Sequence, residues 1–395
     1  MKCRINDKMC VRRLFAVILC LQMIAFSVLP AGAVSQSAEQ STPLTMNCPS
    51  AVLMEASTGA ILFEQNPDAV CPPASITKIM TLLLVMEAVD SGTLKLEDKV
   101  TASAHAASMG GSQVFLKEGE SMTAEDMIKS VVISSANDAA LALAEHLCGT
   151  EAAFVAKMNE KAAELGMENT HFENTNGLDD TVEQHVTTAH DVALMSRALM
   201  EHKLILQYSS IWMDTIRDGA FGLTNTNRLI RFYPGATGLK TGSTAKAKFC
   251  ISATAERNGM SLICVIMGAE TRDIRNEEAK KLLDWGFANY ELYTAPSVEV
   301  KPIRVLGGVK NECPVQPAAF SCVVPKGRSA AVTMECDLPS EMTAPVTEGQ
   351  VIGKMIYRDG DRIWGEIDII AKESIEKISF GRLFARMLRC FVGKY

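Results

Sequence analysis

Basic charge is in short supply in this 395-residue sequence, where 39 Lys and Arg stand against 46 Asp and Glu. A net charge of −7 argues against nucleic acid as a partner, because a phosphate backbone needs a basic face. Six histidines (His105, His146, His171, His185, His190 and His202) show no metal-ligand pairing, so neither metal nor cofactor is expected. HExxH, GxSxG, GxGxxG and Walker-type glycine loops are absent, which removes the zinc proteases, serine hydrolases, dinucleotide enzymes and NTPases that depend on them. The twelve cysteines contain no CxxC, so a zinc cage or disulfide framework is not expected. They read as small buried hydrophobes, with a local Cys322–Cys336 pair left open. What remains is an ordinary globular composition, 48% hydrophobic and 22% charged, with no repeat and no low-complexity segment.

Charge is distributed unevenly. Residues 1–33 hold five basic residues and one acid, then an apolar run from Leu14 to about Leu29, then Pro30-Ala31-Gly32-Ala33. These are the three parts of a secretory signal peptide, with cleavage expected near Ala33. The alternative is an N-terminal anchor, for which the run is short. At the other end, residues 371–395 carry six basic residues against two acids, so residues 34–370 sum to −15. In that tail Ile375, Ile378, Leu383, Phe384, Met387, Leu388, Phe391 and Val392 recur at helical spacing, with Lys377, Arg382, Arg386, Arg389 and Lys394 largely opposite. A basic amphipathic helix on an acidic body is the pattern of an interfacial anchor. A terminal helix packed on its own domain is the competing reading.

Between these ends the pattern is hairpin, helices, hairpin, helix. Residues 51–54 and 61–63 flank Ser57-Thr58-Gly59, and residues 249–255 and 260–267 flank Asn258-Gly259, a type I′ signal. Helices are predicted over 75–89, 127–133, 138–148, 151–165, 189–202 and 277–290. Such clustering predicts an α+β domain over 34–295. Residues 296–370 turn to short Val- and Ile-containing runs broken by Gly and Pro, with a hairpin turn at Asp359-Gly360-Asp361, and read as a small all-β domain.

A nucleophilic hydrolase without histidine needs another base, and lysine is the usual substitute. Ser75-Ile76-Thr77-Lys78 places a hydroxyl and an amine one turn apart at the start of a helix. Ser243…Lys246 and Ser374…Lys377 share that spacing, so the tetrad alone is weak. Two further elements strengthen it: Ser135-Ala136-Asn137 in the break between two helices, and Lys240-Thr241-Gly242, expected to open an edge strand. That trio marks β-lactamases and penicillin-binding proteins.

The chain resembles the low-molecular-mass penicillin-binding proteins, specifically the serine-type D-alanyl-D-alanine carboxypeptidases (peptidase family S11). The resemblance covers about Pro49 to Tyr290 and includes Pro73 to Thr81, Asn174 to Leu178, Tyr233-Pro234-Gly235 leading into Lys240, and Lys280 to Phe287. It implies a β-lactamase/transpeptidase-like fold, an antiparallel sheet flanked by helices, followed by the small β domain and the amphipathic tail. It also implies that Ser75 attacks the terminal D-Ala-D-Ala bond of peptidoglycan stem peptides. Lys78 would be the base, Ser135 a proton relay, and Asn137 a holder of Lys78 and the substrate amide. Lys240 and Thr241 would take the terminal carboxylate, Gly242 would admit the substrate backbone, and the N–H groups of Ser75 and Ser243 would form the oxyanion hole. β-Lactams would acylate Ser75. The protein would be exported and peripheral on the outer face of the cytoplasmic membrane. Ser243 departs from the family, where an aromatic residue or His is frequent, which puts its side-chain contacts with the stem in doubt. A β-lactamase would need an E-x-x-L-N deacylation loop, which is absent. A transpeptidase and a catalytically silent wall-binding scaffold remain the alternatives.

Overall fold

The computed structural model describes residues 44–391 and 393; the expected signal peptide lies outside them. Five antiparallel strands form the central sheet: β1 (Ser50–Glu55), β2 (Ile61–Gln65), β3 (Ala236–Thr244), β4 (Lys248–Arg257) and β5 (Met260–Ala269), in the order β2-β1-β5-β4-β3. Both expected hairpins are present. Asn258 and Gly259 each adopt positive φ, as a two-residue type I′ turn demands. Strand alternation then assigns two faces. Val52, Met54, Ile263, Val265 and Met267 join the main helical core on one side. Leu53 and Leu262 face the other way, against Gly286 of the helix Arg272–Asn289, where an added Cβ would stand 2.7 Å from each. Helices therefore cover both faces of the sheet.

The helical layer is organised around α1 (Lys78–Asp90), which is apolar almost all round and consequently buried. A 3₁₀ turn over Ala74–Thr77 precedes it, so Ser75 stands on that turn and Lys78 opens the α-helix, three residues later than the spacing predicts. Two helices follow, α2 (Ala124–Ser134) and α3 (Asn137–Cys148). Thr123 caps α2 by accepting from the Asp126 N–H at 3.1 Å. The chain leaves α2 through Ser135 at φ +61°, a left-handed residue that breaks the helix and sends Asn137 into the next one. The last helix of this region begins at Arg272 rather than 277, because Thr271 caps it through the Ile274 N–H.

Beyond residue 290 the chain is β-rich. Val351–Asp359 and Arg362–Ala371 form the long hairpin of a four-stranded sheet, and Tyr290–Thr294 pairs with Ser321–Pro325. Its interior holds Ile303, Val315, Met355, Tyr357 and Ile369, with a second cluster around Val305, Val346 and Ile375. Ile375 is fully buried and bridges Val346, so the first part of the expected tail helix is instead β-paired. The helix itself spans Phe380–Phe391 and buries none of its residues. No single helix among the described residues is long and apolar enough to cross a membrane. All nine described cysteines are free thiols, Cys322 and Cys336 included.

Candidate active site

Three segments converge on one cleft of about 600 Å³: the 3₁₀ turn with Ser75, the α2–α3 junction with Ser135, and the edge strand β3 with Thr241, Gly242 and Ser243. Lys240 lies in the middle of β3 rather than at its start. Gly242 has a packing reason to be glycine: a Cβ there would lie 2.9 Å from the Ser75 nitrogen and 3.0 Å from the Ile76 nitrogen. Its absence lets the strand close against the turn that carries Ser75.

Lys78 Nζ lies 2.9 Å from Ser75 Oγ and donates to the Asn176 carbonyl at 2.8 Å. The side chain is wholly buried. Burial first, and the Lys240 ammonium second, hold its pKa well below the usual lysine value, with Asp138 opposing them. A neutral amine there keeps an N–H for Asn176 and turns a lone pair to the Ser75 hydroxyl. Lys240 is also buried and is lowered to about 7, by desolvation and then by the Arg275 guanidinium. Its ammonium donates to Ser135 Oγ at 2.8 Å and to the Thr241 carbonyl at 2.9 Å. Two lysines thus serve two hydroxyls, and the Lys240 ammonium disfavours the charged form of Lys78.

The junction residues are held from outside the trio. Asn137 does not bond Lys78, which corrects that expectation. Its Nδ2 donates to the Gly110 carbonyl at 2.7 Å and its backbone N–H to the Ser112 carbonyl at 2.7 Å, so the loop across the cleft has already claimed it. Asn137 Oδ1 stays buried without a partner. The buried Asp138 carboxylate accepts from the Val114 and Leu116 N–H groups and anchors the same loop. Thr241 Oγ1 donates to Thr226 Oγ1 at 2.8 Å. Ser243 is exposed at the rim. The two decoy tetrads are spent elsewhere, since Lys246 donates to the Asp179 carbonyl and Ser374 Oγ accepts from the Glu348 N–H.

Four contributors were missed by sequence reasoning. The Asn176 carbonyl reaches Lys78 because Asn174 Oδ1 accepts from the Asn176 and Gly177 N–H groups and folds the loop inward. Gly177, at φ +88°, lies against the Ala74 carbonyl, where a Cβ would meet the oxygen at 1.8 Å. His185 accepts from the Glu173 N–H at Nδ1, and its Nε2 lies 2.7 Å from Thr77 Oγ1, which itself donates to the Ala74 carbonyl. That pattern demands the neutral Nε2–H tautomer, and burial lowers the imidazole to about 4. Arg275 is buried beside β4, donating to Asn276 Oδ1 and the Cys250 carbonyl, and it lines the cleft 35 positions after Lys240. Only Asn174 to Leu178 carried any signal, as part of the family resemblance. Among the described residues no group of three or more His, Cys, Asp or Glu is placed to hold a metal.

Residues 35–271 match the D-alanyl-D-alanine carboxypeptidase family, and residues 287–377 match the C-terminal domain of penicillin-binding protein 5. The chain belongs to the D-alanyl-D-alanine carboxypeptidases. This carboxypeptidase is 39% identical to the D-alanyl-D-alanine carboxypeptidase DacF of Bacillus subtilis over 93% of this chain and 96% of the relative. Penicillin-binding protein 5 of Haemophilus influenzae superposes with a TM-score of 0.76 at 32% identity, covering 85% of this chain and 99% of that one. Penicillin-binding protein D2 of Listeria monocytogenes, solved with ampicillin bound, gives 0.57 at 34% identity over 62% of this chain and 99% of that one. The enzyme is accordingly a serine-type hydrolase with the penicillin-binding α+β fold, followed by an all-β domain and a terminal helix.

Proposed function

We propose that this carboxypeptidase removes the terminal D-alanine of peptidoglycan stem peptides through an acyl-enzyme on Ser75, and that β-lactams acylate the same oxygen. The observation that carries the reading is the 2.9 Å contact between Ser75 Oγ and a buried Lys78 whose charged form is disfavoured. Ser75 Oγ attacks the carbonyl of the D-Ala-D-Ala bond while Lys78 Nζ takes its proton. The Ser75 and Ser243 N–H groups stabilise the oxyanion, at roughly 3–4 kcal/mol per donor. Ser135 passes a proton to the departing amine, drawing on Lys240 Nζ at 2.8 Å. D-Alanine leaves, and water then hydrolyses the ester. Asn137 Oδ1, which lacks a donor, accepts the N–H of the substrate amide. Lys240, Thr241 and Arg275 bind the terminal carboxylate, which draws Lys240 back to its charged form.

Location and organisation belong to the same reading. The segment 1–33 exports the protein, 34–295 carries the chemistry, and 296–370 is the small β domain. The tail within 371–395 lays its helix on the outer face of the cytoplasmic membrane. The helix Phe380–Phe391 supports this, exposing Phe380, Leu383, Phe384, Met387, Leu388 and Phe391 together with Arg382, Arg386 and Arg389. The test is D-alanine release from a diacyl-Lys-D-Ala-D-Ala peptide by the wild type and by Ser75→Ala. Release by the wild type and none by a folded Ser75→Ala is expected. Undiminished release by the variant contradicts the mechanism.

A further inference from the structure

Positive charge accumulates at one end of the cleft beyond what a single carboxylate requires. Arg228, Arg272 and Arg275 line the same cavity as Ser75 and Thr241. Arg275 is buried, while Arg228 and Arg272 are exposed at the mouth. They arrive from two directions. Arg228 follows Thr226, whose hydroxyl is bonded to Thr241, and Arg272 opens the helix on which Arg275 sits one turn further along. The three charges feel one another, since Arg272 and Arg228 both disfavour the Arg275 cation. Arg275 bonds only neutral acceptors, and neither Arg228 nor Arg272 forms an ion pair among the described residues. Asp273 opposes this field at Arg275 only as the weakest of the influences on it. A monocarboxylate such as D-alanine leaves the two guanidiniums at the mouth unanswered.

We propose that this end of the cleft is a subsite for a leaving D-amino acid with a second carboxylate, so that the enzyme also releases D-glutamate or D-aspartate from a peptide terminus. The inference rests on the reading of Ser75 as nucleophile. The main-chain carboxylate occupies the Lys240–Thr241–Arg275 position, and the side-chain carboxylate reaches Arg228 and Arg272, which meet carboxylates bidentately. The chemistry is unchanged and balanced. The Ser75 Oγ–C bond forms as the peptide C–N bond breaks, the hydroxyl proton ends on the amine of the departing amino acid, and water hydrolyses the ester.

The test is kcat/KM of the full-length protein on diacyl-Lys-D-Ala-D-Glu against its neutral isostere diacyl-Lys-D-Ala-D-Gln, with diacyl-Lys-D-Ala-D-Ala in parallel. A D-Glu to D-Gln ratio of about ten at low salt is expected, as two partly desolvated charge-assisted contacts supply. It should fall toward one in about 0.5 M NaCl, where the Debye length is only a few ångströms. The Arg228→Gln/Arg272→Gln double variant should bring it toward one at low salt. A wild-type ratio of one or below, with D-alanine still released, overturns this inference alone. So does a ratio that neither salt nor the double variant moves. Release from none of the three peptides overturns both the inference and the reading beneath it.

Discussion

Gly177→Ala tests how Lys78 is held, at a residue outside the three motifs. The Ala74 carbonyl oxygen stands 1.8 Å from the position of the new Cβ, and Thr77 Oγ1 stands 2.8 Å from it. Ordinary carbon contacts need about 3.5 Å, so loop or turn must retreat by roughly 1.7 Å. The loop carries the Asn176 carbonyl, one of the two groups bonded to Lys78 Nζ, and the turn carries Ser75, the other. Whichever gives way, the geometry between Lys78 and Ser75 is lost. Displacement of about 1 Å at reacting groups costs on the order of 100-fold in rate. Stability should fall by roughly 2–4 kcal/mol, combining alanine in the left-handed region with a buried amine missing an acceptor. Gly149→Ala is the control, because Gly149 has a similar φ of +77° and nothing within 4 Å of its Cβ. It should lose about 1 kcal/mol and no activity. D-Alanine release and thermal unfolding are measured for both. Gly177→Ala activity within threefold of the wild type refutes the claim that this loop positions Lys78.

Other consequences concern pH and the tail. His185 is held near 4 against an ordinary 6.5, so the unfolded chain takes up a proton first as pH falls. Its stabilisation is complete above about pH 6.5 and is lost between there and about 4, by roughly 3 kcal/mol; His185→Gln should flatten the acid limb of the Tm–pH curve. Lys240, lowered to about 7 in the free enzyme, should set the alkaline limb of kcat/KM, and Lys240→Arg should move that limb upward while the acid limb stays. Truncation before Phe380 should abolish binding to anionic vesicles and leave peptide hydrolysis unchanged, which sedimentation and D-alanine release would show together. Ile375→Ala, by contrast, should cost the β domain about 2–5 kcal/mol, because Ile375 is core rather than tail.

Local chemistry was readable and long-range closure was not. The Asn258-Gly259 turn announced its hairpin because a type I′ turn needs two positive φ values that few residue pairs supply. Ser75 and Lys78 were legible because a helical turn joins them in sequence. Asn176, His185 and Arg275 lie roughly 35 to 110 positions from the groups they serve, and no spacing rule links them. The same gap explains the Asn137 error: its amide looked free for Lys78, but tertiary folding brings Gly110 and Ser112 to it first. Boundary errors have local causes. Pro72-Pro73 and the close approach of Gly177 tighten the start of α1 into a 3₁₀ turn. The tail's apolar period ran on through Ile375 and Ile378, although the β domain claims Ile375 before the helix begins.

The most direct measurement is the site of covalent attachment after incubation with benzylpenicillin, read by mass spectrometry of the digested protein. A single penicilloyl adduct on the peptide containing Ser75, absent from Ser75→Ala, is the expected result. An adduct on another residue, or none, contradicts the assignment of Ser75 as the nucleophile that Lys78 activates.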